Sequence, residues 1–116
     1  MITKVLAIVA LAIAAPAVVV AHHGWSEYDS GQVLTLTGTI REAGYEHPHG
    51  FVHLVSNGKT WRVVLAPPSR MENRGLARER LTAGATATVV GYPNRSDPQE
   101  MRAERITIAG KTTELR

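Results

Sequence analysis

All five histidines of the chain fall in two short windows, His22-His23 and then His47, His49 and His53. Imidazole nitrogens are the commonest protein ligands for transition metals, so this clustering is the first feature with chemical meaning. In an extended segment the side chains at i, i+2 and i+4 share a face. His49, Phe51 and His53 then point one way, and Val52 and Leu54 fill the core on the other. This sets the histidines on the outside or at the mouth of a sheet structure, and His47 joins the same phase if the strand begins early. Pro48 has no N–H, so no amide between the two flanking imidazoles competes for a metal ion. It also holds His47 in an extended conformation, at a spacing from His49 that one ion can bridge.

The N-terminal pair gains its chemistry from processing. A chain that begins at His22 presents a free α-amine and an imidazole on one residue, with the His23 ring beside them. That is a ready bidentate chelate, and metal can displace the amine proton near neutral pH. An all-nitrogen donor set suits Cu(II) above other first-row ions, with zinc and nickel behind it. The chain has no Cys, which excludes disulfides, thiolate metal sites and a Cys nucleophile, and leaves Met71 and Met101 as thioether candidates. Taken singly each histidine has a plainer reading, His23 in a frayed terminus and His53 as a cross-strand polar partner. Their confinement to two windows favours metal binding.

The compartment follows from the first residues. Met1 to Lys4 carries one positive charge, Val5 to Ala15 is unbroken apolar, and Pro16 leads to Val19-Val20-Ala21. This is the grammar of a secretory signal peptide spanning residues 1–21, with the folded domain at 22–116. Ala15-Pro16-Ala17 offers a second cleavage site, and an uncleaved Val5–Ala21 segment would only just cross a bilayer. With cleavage after Ala21 the protein is periplasmic or secreted and keeps no stable membrane anchor. No Cys follows the site, so it is not a lipoprotein.

The elements that must position the histidines are strands. Val33 to Ile40 alternates Leu34, Leu36, Gly38 and Ile40 against Val33, Thr35, Thr37 and Thr39, the pattern of a half-buried strand. Phe51–Ser56 and Thr60–Leu65 form a hairpin about Asn57-Gly58, residues that tolerate the positive φ of a type I′ turn. Pro67-Pro68 stops the third strand, Ser69 to Glu72 matches a capping box, and Gly75 ends a short helix over Ser69 to Arg74. Ala85–Gly91 and Met101–Ala109 supply strands four and five, with a polar loop at Pro93–Gln99 between them. The fold class is therefore all-β. Five strands with one short helix between the third and fourth is the element order of a small OB-like barrel, although an open sandwich fits the same counts. The chain has 116 residues, 44% hydrophobic and 20% charged, enough for one ordered domain and one modest core.

Other patterns carry less. Arg70, Arg74, Arg78 and Arg80 form a basic stripe if the helix continues, but Gly75 breaks it and Glu72 and Glu79 dilute it, which reads as a solvated face. Trp25, Tyr28, Tyr45, Phe51, Trp61 and Tyr92 have the spacing of a base-stacking platform. A net charge of +3 is weak support for nucleic acid, export removes that partner, and Trp61 is more simply core. Asp97 and Glu100 read as solubility in a polar loop. No nucleophile elbow or paired-carboxylate spacing marks a hydrolase.

His22-His23-Gly-Trp25, Leu34-Thr-Leu-Thr-Gly38-Thr, His47-Pro48-His49, Trp61, Pro67-Pro68-Ser69 to Arg74-Gly75 and Leu81-Thr-Ala-Gly84 follow one another in a recognisable order. Together they resemble the exported bacterial family known as domain of unknown function 6152, over essentially all of Ala21 to Ala109. That resemblance implies a mature chain opening on a His-His pair, a Leu-Thr-Gly-Thr strand, an Asn-Pro-His motif and a Gly-rich turn into two further strands. His47 stands here where the family has Asn, and His53 where it has an aromatic. The resemblance thus favours His22, His23 and His49 as shared site residues and assigns no activity.

The sequence therefore points to a periplasmic carrier or sensor of a metal ion, copper before zinc or nickel, held by His22, His23, His47, His49 and His53. The alternative is a metal-free binding module whose barrel face docks a periplasmic protein or small ligand. An oxidative copper enzyme, in which the N-terminal His resembles a histidine brace, would need an open coordination position facing a substrate that the sequence does not identify.

Overall fold

The computed structural model of the chain describes residues 24–116. The expected leader at 1–21 and His22 and His23 lie outside them. The first hairpin forms where the apolar alternation is cleanest: β1 (Leu34–Gly44), β2 (Phe51–Ser56) and β3 (Lys59–Val64) make an antiparallel meander. Asn57 and Gly58 sit at φ 51° and 75° between β2 and β3, as a type I′ turn requires. β1 runs four residues past the expected end because a bulge between Ile40 and Glu42 lets it turn and stay paired with β2. The chain then enters α1 (Pro68–Asn73), a 3₁₀ turn at Arg78–Arg80, and β4 (Thr86–Pro93), which pairs with the other side of β1.

β5 (Glu100–Ile108) closes the structure. It runs antiparallel to β4, and its first residues, Glu100 to Arg102, pair in parallel with Arg62 to Val64 of β3. The circuit β1-β2-β3-β5-β4 is the closed five-stranded OB-like barrel expected from the element order, not an open sandwich. A sixth strand, β6 (Lys111–Glu114), pairs with the far half of β5. It was not expected. Its turn is made by Ala109 and Gly110, both at positive φ, and Ala is a residue that gives little warning of such a conformation.

The barrel interior is filled from every strand by Ile40, Val52, Leu54, Val63, Val89, Met101 and Ile106, with Met71 and Leu76 closing it from the helix side. Met71 and Met101 are fully buried in this core, so neither is available as the thioether ligand considered from the sequence. At Gly91 a Cβ would collide with the Arg102 carbonyl of β5, so only glycine permits this approach of β4 to β5.

The expected capping box does not form. α1 begins one residue early, with Pro67 as N-cap and Pro68 at the first helical position, and no side chain caps it. Ser69 is already inside the helix, too far along to face the free N–H groups as a cap does. The other end behaves as expected. Gly75 takes φ 83°, its N–H donates to the Glu72 carbonyl, and the Leu76 N–H donates to the Met71 carbonyl. This is a Schellman ending, with Leu76 and Met71 both buried.

Candidate functional site

The His47-Pro48-His49 unit lies on a loop rather than on a strand, since β2 starts only at Phe51. Both ends of that loop are fastened. The Tyr45 hydroxyl donates to the Leu76 carbonyl at 2.7 Å, and Gly50 exchanges hydrogen bonds with Ala66 and Leu65 at 2.9 and 2.8 Å. Glu46, His47 and Pro48 between them are exposed and His49 is half-buried. His47 and His49 line one cleft of about 200 Å³, together with Glu46, Phe51, Arg62, Val64 and Glu100.

His53 is set apart from them. As the alternation required, it lies on the outer face of β2 with Val52 and Leu54 buried behind it. Its Nδ1 stands 3.2 Å from Glu42 and its ring lies against Phe51. It faces a different hollow of about 330 Å³, lined by Thr60, Arg62, Asp97 and Gln99. Arg62 borders both hollows, its guanidinium 4.3 Å over the Phe51 ring and 3.6 Å from Glu100. Among the described residues no group of three or more His, Asp or Glu side chains is gathered closely enough to hold a metal ion.

The partner of His49 is a residue to which sequence reasoning assigned nothing. Arg102, in β5 and only 5% exposed, donates from Nη2 to His49 Nε2 at 3.3 Å. Burial pushes the Arg102 pKa down, although a guanidinium stays cationic at neutral pH. The Arg102 guanidinium also lies 4.2 Å over the ring of Trp25, and Arg116 lies over the same ring at 4.6 Å. Trp25 further meets the ring of Tyr92 edge-on, with centroids 6.2 Å apart. Residue 25, three positions after His22, is thus joined to His49 through one side chain.

Glu100 does not serve solubility. Its Oε2 accepts from the Tyr28 hydroxyl and from Asn94 Nδ2, each at 2.9 Å, at the point where β5 meets β3. Tyr28 is buried, and desolvation first and this carboxylate second push its pKa up. Tyr28 therefore remains a neutral donor. Asp97 accepts from the Gln99 N–H and shapes the loop before β5.

The aromatic residues do not form a bare stacking platform either. Trp25 carries Arg102 and Arg116, Phe51 carries Arg62, Trp61 carries Lys59 at 3.7 Å, and Tyr45 carries Arg78 at 5.5 Å. Cation–π contacts of this kind occupy ring faces that a base would need. Trp61 packs against the core, as the sequence suggested.

Among solved structures the chain is similar to a TiaS–tRNA(Ile2)–ATP complex, with 17% identity and TM-score 0.53 over 77% of this chain and 20% of that one. It is also similar to the S. pombe Stn1–Ten1 complex, with 15% identity and TM-score 0.54 over 68% of this chain and 59% of that one. The chain thus spans about a fifth of the first and three fifths of the second, and at these identities the likeness is one of fold. No curated protein sequence matches it. The profile of a family of unknown function, DUF6152, matches residues 7–102, and by that match, which takes in most of the strands, the histidine loop and Arg102, the chain belongs to this family.

Proposed function

We propose that this protein is an exported carrier or sensor of a metal ion, copper before zinc or nickel, and that His22, His23 and His49 hold the ion, with His47 at the edge of the same cleft. One observation carries the reading: Trp25 is pinned against Arg102, and Arg102 is bonded to His49. Three residues extend over at most about 11 Å, so the covalent chain keeps His22 within reach of the His49 side of the barrel once Trp25 is anchored. On this reading the N-terminal pair and the loop histidine, distant in sequence, share one ion. Export matters to the chemistry because cleavage after Ala21 creates the α-amine that completes a chelate. The ion would bring its own Lewis acidity, and the residues would supply nitrogen donors without thiolates, a set that favours Cu(II). His53 is left out, since it faces the hollow beyond Arg62.

The test is a set of four Cu(II) affinities at fixed pH and buffer, on protein whose N-terminus has been sequenced as His-His-Gly-Trp. The forms are the exported protein, one with a residue added ahead of His22, one with His49→Ala, and one with both changes. Each single change weakens binding tenfold or more, about 1.4 kcal/mol, and the double change costs less than the sum because either one dismantles the shared site. An unchanged affinity in His49→Ala would make the barrel a bystander to a copper-binding terminus. The better reading would then be a metal-free module that docks a protein or small ligand in the clefts about Arg62.

A further inference from the structure

We propose that the hollows on either side of Arg62 form one groove for a neutral oligosaccharide, whose hydroxyls bridge Arg62 and Glu100. This does not depend on the metal reading. The first hollow, about 200 Å³, reaches Arg62 from the His47 loop, and the second, about 330 Å³, continues from Arg62 to Asp97 and Gln99. They lie over the outer face of β2 and β3, between the loop that joins β1 to β2 and the loop that joins β4 to β5. That is where OB-folds take up oligonucleotides and oligosaccharides. Both loops are fastened before any ligand arrives. Gly50 ties the first to Leu65 and Ala66, and the second accepts from the Arg62 N–H at the Gln99 carbonyl and from Lys59 Nζ at the Pro98 carbonyl. Walls fixed in this way lose little freedom on binding.

Charge decides between the two polymers. Glu46, Asp97 and Glu100 line the groove against one guanidinium, so an oligonucleotide would bring its phosphates to a surplus of carboxylates. Arg62, at the junction of the hollows, repels an amine or metal cation. What suits the junction is an uncharged group that both donates and accepts. Arg62 Nε and Glu100 Oε1 stand 3.6 Å apart, too far for a hydrogen bond. The carboxylate is held in place through its other oxygen by Tyr28 and Asn94, and its side chain is only 13% exposed. A hydroxyl oxygen between the two can accept from the guanidinium and donate to the carboxylate at once. The Phe51 ring, 4.3 Å from the guanidinium, fixes its plane, and the N–H donors lie in that plane. Two hollows joined at one such pair suit a chain of repeating polyhydroxylated units, one unit in each.

The experiment follows backbone amide signals of the isotope-labelled exported protein by NMR, with a metal chelator present. The neutral probes are chitotriose, cellotriose and maltotriose. A thymidine hexanucleotide, spermidine and an uncharged tetrapeptide stand for the other ligand classes, each added to about 10 mM. At least one glycan is expected to bind with Kd near about 1 mM. The shifts should be confined to residues 45–50, residues 94–99 and the strand positions around Arg62. Affinity should stay within about twofold between low and high salt, because a neutral ligand is not screened. Arg62→Leu weakens binding about tenfold or more, whereas Arg105→Ala, on the far half of β5, leaves it unchanged. The proposal is overturned by no response to any glycan, by shifts centred elsewhere, or by tighter binding of the hexanucleotide, spermidine or the tetrapeptide. Unchanged affinity in folded Arg62→Leu also overturns it. If that variant does not fold, the shift map and salt profile of the unaltered protein decide.

The chelator keeps this result apart from the Cu(II) affinities. Glycan binding by a protein that fails the copper test leaves the groove standing without the metal reading. Copper binding with no glycan response removes the groove alone.

Discussion

Around α1, each of four arginines is bonded to a backbone carbonyl, whereas around His49 one arginine is bonded to a side chain that has other uses. Arg70 donates to the Leu115 carbonyl, Arg74 to those of Glu114 and Arg116, Arg78 to Tyr45 and Arg80 to Ile108. These contacts tie the helix and its following turn to the C-terminal strand and to the start of the histidine loop. The basic stripe is in part the solvated face suggested by the sequence, since Arg74 and Arg78 are exposed, but its guanidiniums are engaged by carbonyls rather than by an anion. A backbone carbonyl held in this way takes up no proton near neutral pH. In contrast, Arg102 holds an imidazole nitrogen, a group whose alternative partners include protons and metal ions. Whether a charged side chain serves structure or function depends here on what it is bonded to, because all five arginines are alike in sequence.

The sharpest way to break this contrast is to compare a core residue beneath the loop with a histidine on it. Met71 is fully buried, and its Sδ-methyl fills the space under Gly50. Met71→Ala leaves a cavity there and is expected to cost about 3 kcal/mol by urea unfolding. His47→Ala, at an exposed position, changes stability by less than about 0.5 kcal/mol. If His47→Ala destabilised as much as Met71→Ala, the loop would be a structural brace rather than a presented site.

A smaller effect tests the helix flank. The Ile108 carbonyl is half-buried and loses a charged donor in Arg80→Ala, which should cost about 1.5 kcal/mol. Cu(II) affinity should be unchanged in the same variant. A change in affinity with little loss of stability would mean that the two regions are not separate.

Most of the barrel was legible because its information is local. Leu34 to Ile40 alternates, Asn57-Gly58 can hardly be anything but a turn, and Gly75 ends the helix by a rule about φ. β6 was not legible, since Lys111-Thr-Thr-Glu is polar and its turn places an alanine at φ 48°. The position of the histidines on an outer face could be read at His53, where the strand period applies. It failed at His47 and His49, where the strand has not begun. Arg102 could not be found at all, as it lies 53 residues from His49 and is brought to it only by the parallel pairing of β3 with β5. Barrel closure, not any motif, makes that contact.

The smallest expected effect concerns the one local signal that misled. Ser69 with Glu72 fits the capping-box pattern, and a serine cap would be worth about 1 kcal/mol. In the fold, however, Pro67 is the N-cap and Pro68 the first helical residue. Proline has no N–H and a backbone already set for a helix, so the start is specified without a side-chain cap. Ser69 is then an exposed residue in the first turn, where alanine is the better helix former. Ser69→Ala should leave stability unchanged or raise it by up to about 0.5 kcal/mol, opposite in sign to the loss of a cap. A loss near 1 kcal/mol in thermal or urea unfolding would show that the serine does cap the helix in solution. The helix would then start later than Pro68, and the contact of the Tyr45 hydroxyl with the Pro68 carbonyl, which helps to fasten the start of the histidine loop, would need to be redrawn.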